Sequence, residues 1–192
     1  MDSGTRAAGH GAAGAAADLR SPEAIAALVA AVRAAFGGID VLVNNAGVFP
    51  VKTLADSSAA DYEECFAVNV RAPFLLARAF APEMAAAGWG RILNIGSSSA
   101  YAGFKETSLY CASKHALLGL SRALHDELKS SGVRVLCASP GSVQTPMGRL
   151  VKNQDFSTFL DPAEVADVAV DLLARDGLMA VDEIRLNRMT IR

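Results

Sequence analysis

The sequence predicts an α/β protein, a doubly wound and mostly parallel sheet with helices on both faces. Three observations carry this. Helix-like and strand-like periodicities alternate along most of the chain. The strand candidates are short continuous apolar runs, as in strands buried on both faces. The helix candidates carry start and stop signals. In such a sheet ligands bind beyond the carboxyl ends of the strands. Neither a linker nor an internal repeat interrupts the pattern, so residues 1–192 are expected to form one domain.

Each element has a local reason. Ser21-Pro22-Glu23 supplies a capping hydroxyl, a proline with pre-set φ and an acidic first turn, and Gly37-Gly38 ends the stretch, giving a helix over 22–36. Asp40 to Val43 is an apolar strand closed by the turn-forming Asn44-Asn45-Ala46-Gly47. The pattern then repeats: a helix over about 61–87, a strand at 91–95, a helix over about 108–131 and a strand at 133–137. Asp161-Pro162-Ala163-Glu164 is a second capped start leading into Val165 to Arg175, and Ala180 to Leu186 supplies a last strand. Ala12 to Ala17 also reads as strand-like.

Composition excludes several function classes. The chain is 52% hydrophobic and 20% charged, with mean hydropathy +0.27, unlike a disordered segment. Eighteen basic residues against twenty acidic ones leave a net charge of −2, which is no footprint for a phosphate backbone, so no nucleic-acid partner is expected. Apolar runs such as Ala24 to Val32 fall short of a membrane span, and no membrane partner is expected. Cys65, Cys111 and Cys137 are odd in number and far apart, which suggests neither a disulfide framework nor a metal site. With no secretion-type leader in the first residues, a cytoplasmic location is expected.

Chemistry concentrates in Tyr110-Cys111-Ala112-Ser113-Lys114. Helical i,i+4 spacing puts the phenol and the ammonium on one face. A nearby cation favours the phenolate, which would bring a tyrosine toward the range useful for general acid–base work. Taken alone, the pair is an ordinary amphipathic surface and decides nothing. Thirteen residues earlier, Ser97 ends an apolar strand where a hydroxyl would meet a ligand, although Ser97-Ser98-Ser99 read by itself is simply a polar loop.

Together, Asn44-Asn45-Ala46-Gly47, Asn69 in FAVNV, Ser97 in ILNIGS, YCASK at 110–114 and PGSVQT at 140–145 resemble the short-chain dehydrogenase/reductase family, and most closely its ketoacyl-carrier-protein reductases. The resemblance implies a Rossmann-like fold and a hydride exchanged between NAD or NADP and a small-molecule carbonyl or alcohol substrate. It implies that Tyr110 gives or takes the proton, that Ser97 orients the substrate oxygen, and that Lys114 lowers the Tyr110 pKa and binds the nicotinamide ribose. Asn69 would hold a water connecting Lys114 to solvent. By the same resemblance Asp18 falls beside the adenine, Asn45 and Gly47 beside the adenosine ribose, and Pro140, Gly141, Val143 and Thr145 beside the nicotinamide carboxamide or phosphates. A homodimer or homotetramer through the helices near 61–87 and 108–131 is implied as well.

The sequence departs from that family at its start. No strand, TGxxxGIG-type turn and helix precede Asp18, and the seventeen residues before it are too few for a βαβ unit. GHGAAG at 9–14 fits G-x-G-x-x-G but follows no strand, so it is read as non-functional. The expectation is therefore an N-terminally truncated domain with exposed sheet edges, weak dinucleotide binding and no legible NAD-versus-NADP preference. A non-catalytic interaction subunit that binds no dinucleotide is the competing reading. Phe49, Tyr101, Phe104, Met147 and Leu150 are candidate walls of an apolar substrate pocket.

Overall fold

A computed structural model describes residues 11–189. Four parallel strands, β1 (Val41–Asn44), β2 (Gly90–Ile95), β3 (Val133–Pro140) and β4 (Glu183–Leu186), lie side by side in chain order. The register pairs Asn44 with Asn94, Ile95 with Ala138 and Pro140 with Leu186, so all four carboxyl ends open on one edge, as expected.

Helix α1 (Pro22–Phe36) has the expected bounds. The Ser21 hydroxyl accepts from the Ala24 N–H, and Gly37 ends the helix at φ 79°, a conformation that costs glycine little. The helix expected over 61–87 is three pieces. Helix α2 (Ala59–Phe66) starts on a Ser58–Asp61 capping box, and α3 (Ala72–Ala87) completes the run. Between them Ala67–Arg71 is a π-turn in which the Ala72 N–H reaches the Ala67 carbonyl. Pro73 accounts for it: it has no N–H for the Asn69 carbonyl, and its ring would clash with that carbonyl in a regular α-helix.

Helix α4 (Ser108–Leu128) ends in a short 3₁₀ turn, and α5 (Pro162–Ala174) begins at the Asp161 cap. One face of the sheet packs Leu42, Ile92, Val133 and Val135 against α1 and α3 through Ile25, Val29, Leu76, Phe80 and Met84. The other packs Leu93, Leu136 and Ala138 against Leu172 of α5. Helices on both faces make the fold doubly wound and Rossmann-like.

Two expectations about strands need correction. Residues 11–18 form no strand, and the last strand is only Glu183–Leu186 rather than 180–186. Within GHGAAG, Gly9 and His10 lie outside the described residues, while Gly11 and Gly14 have open space where a Cβ would stand, so nothing packs closely on that backbone. Consequently β1 has β2 as its one sheet neighbour among the described residues. Val41 and Val43, on the Leu93 face, are 40% and 46% exposed because α5 stops short of them.

Candidate active site

The site grows from the carboxyl edge of β1, β2 and β3 and from one face of α4. Ser97 follows β2, is 8% exposed, and its hydroxyl accepts from the Ser99 N–H, capping a 3₁₀ turn. Tyr110 and Lys114 stand one turn apart on α4, 8% and 5% exposed. The Lys114 ammonium lies 5.7 Å from the Tyr110 ring centre and donates to the Ile95 carbonyl at 2.8 Å. Phe49 packs edge-on against the Tyr110 ring, centroids 4.6 Å apart.

Asn69 occupies the π-turn and is 1% exposed. Its Nδ2 donates to the Val48 carbonyl and the Ser113 hydroxyl, both at 3.0 Å, while its Oδ1 accepts from the Val48 N–H at 2.9 Å. A π-turn rotates the helix relative to an α-turn and here turns this amide inward onto the loop after β1. Gly47 lies in that loop, and a Cβ there would come 3.3 Å from Asn69 Oδ1 and 3.9 Å from Lys114 Nζ. Ser97, Tyr110, Lys114 and Asn69 therefore converge, contributed by β2, α4 and the π-turn.

Electrostatics follow burial. Burial lowers the Lys114 ammonium from its ordinary 10.5 to about 8. Burial also raises the Tyr110 phenol, and the nearby Ser97 hydroxyl only opposes that rise. The expected lowering of Tyr110 by Lys114 is thus not realised in this geometry. The thiols of Cys65 and Cys137, both near Lys114, are pushed up by burial and stay protonated near neutrality.

Other candidates scatter more widely. Asn45 is exposed beyond the end of β1, and Pro140 closes β3. The Gly141 N–H reaches the Leu186 carbonyl, Val143 bridges to Leu160, and the Thr145 hydroxyl accepts from the Gly148 N–H to cap a short turn. Asp18 is half exposed and paired with Arg20, with no hydrogen bond joining it to the residues around Lys114. Tyr101 does not face a substrate space: it packs on Ala100, Leu118 and Cys137, and its hydroxyl donates to Glu183. Phe104, Met147 and Leu150 are exposed. A cleft of about 500 Å³ lies elsewhere, between Thr158–Leu160, Glu164 and Asn187–Met189.

Sequence reasoning did not assign Ser113, the Ile95 carbonyl or the Val48 backbone. Pro73, four residues after Asn69, was the available signal for the π-turn. Among the described residues, no helix is long and apolar enough to cross a membrane, and no group of three or more His, Cys, Asp or Glu residues could hold a metal ion.

Comparison with known proteins agrees with this fold. A profile described as short chain dehydrogenase matches residues 3–155. D-beta-hydroxybutyrate dehydrogenase of Rhizobium meliloti (strain 1021) is 40% identical over 131 residues, covering 68% of this chain and 51% of the relative. A 3-alpha-(or 20-beta)-hydroxysteroid dehydrogenase of Mycobacterium bovis is 38% identical over 164 residues, covering 83% and 63%. The chain thus spans between half and two thirds of the length of these relatives. Among solved structures, a metagenomic short-chain oxidoreductase in complex with NADP is 36% identical with TM-score 0.76, covering 92% of this chain and 74% of that one. 4-Hydroxyisoleucine dehydrogenase complexed with NADH is 28% identical with TM-score 0.78, covering 89% and 77%. A profile that matches most of the chain, with relatives and solved structures that agree with it, places the chain in the short-chain dehydrogenase family.

Proposed function

We propose that this chain carries the reacting centre of an NAD- or NADP-dependent oxidoreductase acting on a small carbonyl or alcohol. The observation that carries the reading is the convergence of Ser97, Tyr110, Lys114 and Asn69 at the carboxyl edge of the sheet. The residues also suit a nicotinamide cofactor. The Lys114 ammonium has three donors, and the Ile95 carbonyl is its one hydrogen-bond partner among the described residues, which leaves two for ribose hydroxyls. Beside it Gly47 has no side chain to crowd Asn69 Oδ1, which a Cβ would meet at 3.3 Å, so the loop can lie close to Lys114.

When bound, the cofactor supplies or accepts the hydride. Tyr110 gives or takes the proton at its hydroxyl, while Ser97 holds the substrate oxygen within reach of that hydroxyl. Lys114 holds the ribose, and its pKa of about 8 lets it exchange a proton near neutral pH. Asn69 ties the loop after β1 to α4 and would hold a water that connects Lys114 to solvent. Asn45, Gly47, Pro140, Gly141, Val143 and Thr145 would complete the cofactor surface, with Asp18 at the adenine end. Residues 1–192 act as one domain in the cytoplasm. Self-association runs through α2, α3 and α4, where Tyr62 and Phe74 are exposed.

Titration of NADH and NADPH by nucleotide fluorescence, then turnover of a panel of small ketones and alcohols, tests the reading. Tyr110→Phe, which keeps the packed ring, should bind cofactor like the parent and lose roughly 10²–10⁴-fold in turnover. Equal turnover would remove Tyr110 from the mechanism, and no nucleotide binding by the parent would favour a non-catalytic interaction subunit.

A further inference from the structure

We propose that Ser113 is a positioning residue for this site, acting through Asn69; the inference rests on the oxidoreductase reading above. Its side chain is completely buried. The hydroxyl donates to the Tyr110 carbonyl at 2.8 Å and accepts from Asn69 Nδ2 at 3.0 Å. The first bond alone is common for a helical serine. The second is not local, because it joins α4 to a π-turn 44 residues earlier.

An amide nitrogen has two N–H groups. One reaches the Val48 carbonyl and the other reaches Ser113, with the Cys65 sulfur, a weak acceptor, 3.5 Å away. Because the Ser113 proton is committed to the Tyr110 carbonyl, its oxygen can only accept. A flipped Asn69 amide would set oxygen against that oxygen and against the Val48 carbonyl. Val48 sets which way Asn69 faces, and Ser113 holds the second N–H of the amide and so anchors it to α4. Asn69 in turn holds Val48 by both backbone groups, between Gly47 beside Lys114 and Phe49 against the Tyr110 ring. A closed circuit from the Tyr110 backbone through Ser113, Asn69 and Phe49 to the Tyr110 ring sets the spacing of the reacting groups.

The test uses the full chain and two independent readouts. Exchange of the Asn69 side-chain N–H protons, followed by NMR without substrate, should be slow in the parent and in Ser113→Thr and fast in Ser113→Ala. Ser113→Ala should lower kcat roughly tenfold through misplacement of the reacting groups. Ser113→Thr should restore most of that loss, and Asn69→Ala should leave no further loss for Ser113→Ala to cause. Should Ser113→Ala fail to fold, Ser113→Cys, with its weaker donor and acceptor, should give an intermediate result in both readouts. Unchanged Asn69 exchange in the variant, or losses that multiply in the double variant, overturns the proposal. A parent without turnover refutes the oxidoreductase reading instead, and the exchange readout then decides the Ser113–Asn69 link alone.

Discussion

Replacing Lys114 by methionine should make this protein more stable near neutral pH while removing its proposed activity. The ammonium is 5% exposed, and burial takes its pKa from 10.5 to about 8. At about 1.4 kcal/mol per pH unit, carrying this cation costs the folded state about 3 kcal/mol. Below pH 8 both folded and unfolded chains hold the proton, so the full cost is present. Between pH 8 and 10.5 the unfolded chain binds more proton than the folded one, and the contribution to stability rises with pH until the cost is gone. Methionine removes the charge but leaves the Ile95 carbonyl without its donor, a loss of about 1–3 kcal/mol at every pH. The variant should therefore be more stable by up to about 2 kcal/mol at neutral pH and less stable by about 1–3 kcal/mol above pH 10.5, with a crossover between. Burial raises Tyr110, Cys65 and Cys137, so their ionisation on unfolding weakens both proteins in alkali and largely cancels in the difference. Urea unfolding followed by circular dichroism from about pH 6.5 to 10.5, with equal m-values, gives that difference directly. A stability difference that stays constant across this range would refute the buried-cation reasoning.

Other outcomes follow from the packing. Ser97→Ala should cut kcat about a hundredfold by losing the donor to the substrate oxygen, and it should also lose about 1 kcal/mol in urea unfolding because the hydroxyl caps the turn at Ser98–Ala100. Gly132→Ala should destabilise by about 2 kcal/mol or more, since φ is +78° and the new Cβ would run into the Gly88 carbonyl; thermal unfolding checks it. Phe80→Ala empties a site that is 2% exposed between the sheet and α1, and should cost about 3–5 kcal/mol in the same measurement. Phe74→Lys should reduce self-association in sedimentation, because it puts a charge on an apolar side chain of α3 that is 42% exposed within the proposed contact surface.

The sequence by itself determined the elements whose causes are local. Ser21-Pro22 and Asp161-Pro162 set two helix starts, Gly37 one stop, and the unbroken apolar runs at β2 and β3 required burial on both faces and hence parallel pairing. Tyr110 and Lys114 were readable as a pair because helical spacing alone puts them on one face. The tertiary structure decided what depends on neighbours distant in the chain. Ala12 to Ala17 had strand-like character, but a strand is held by its partners, and residues 11–18 pair with none among the described residues. Tyr101 was as apolar as a pocket wall requires, yet Glu183, 82 residues later, holds its hydroxyl beside β4. The directions of the Tyr110 and Lys114 pKa shifts could not be read from spacing, because desolvation by the surrounding fold sets both. Asn69 was legible as a motif residue, but its grip on Val48 and Ser113 exists only once Pro73 has opened the π-turn and the sheet has brought the loop after β1 against α4. Capping, glycine turns and helical spacing act within a few residues, whereas burial, charge and buried amide contacts take their values from the packed whole.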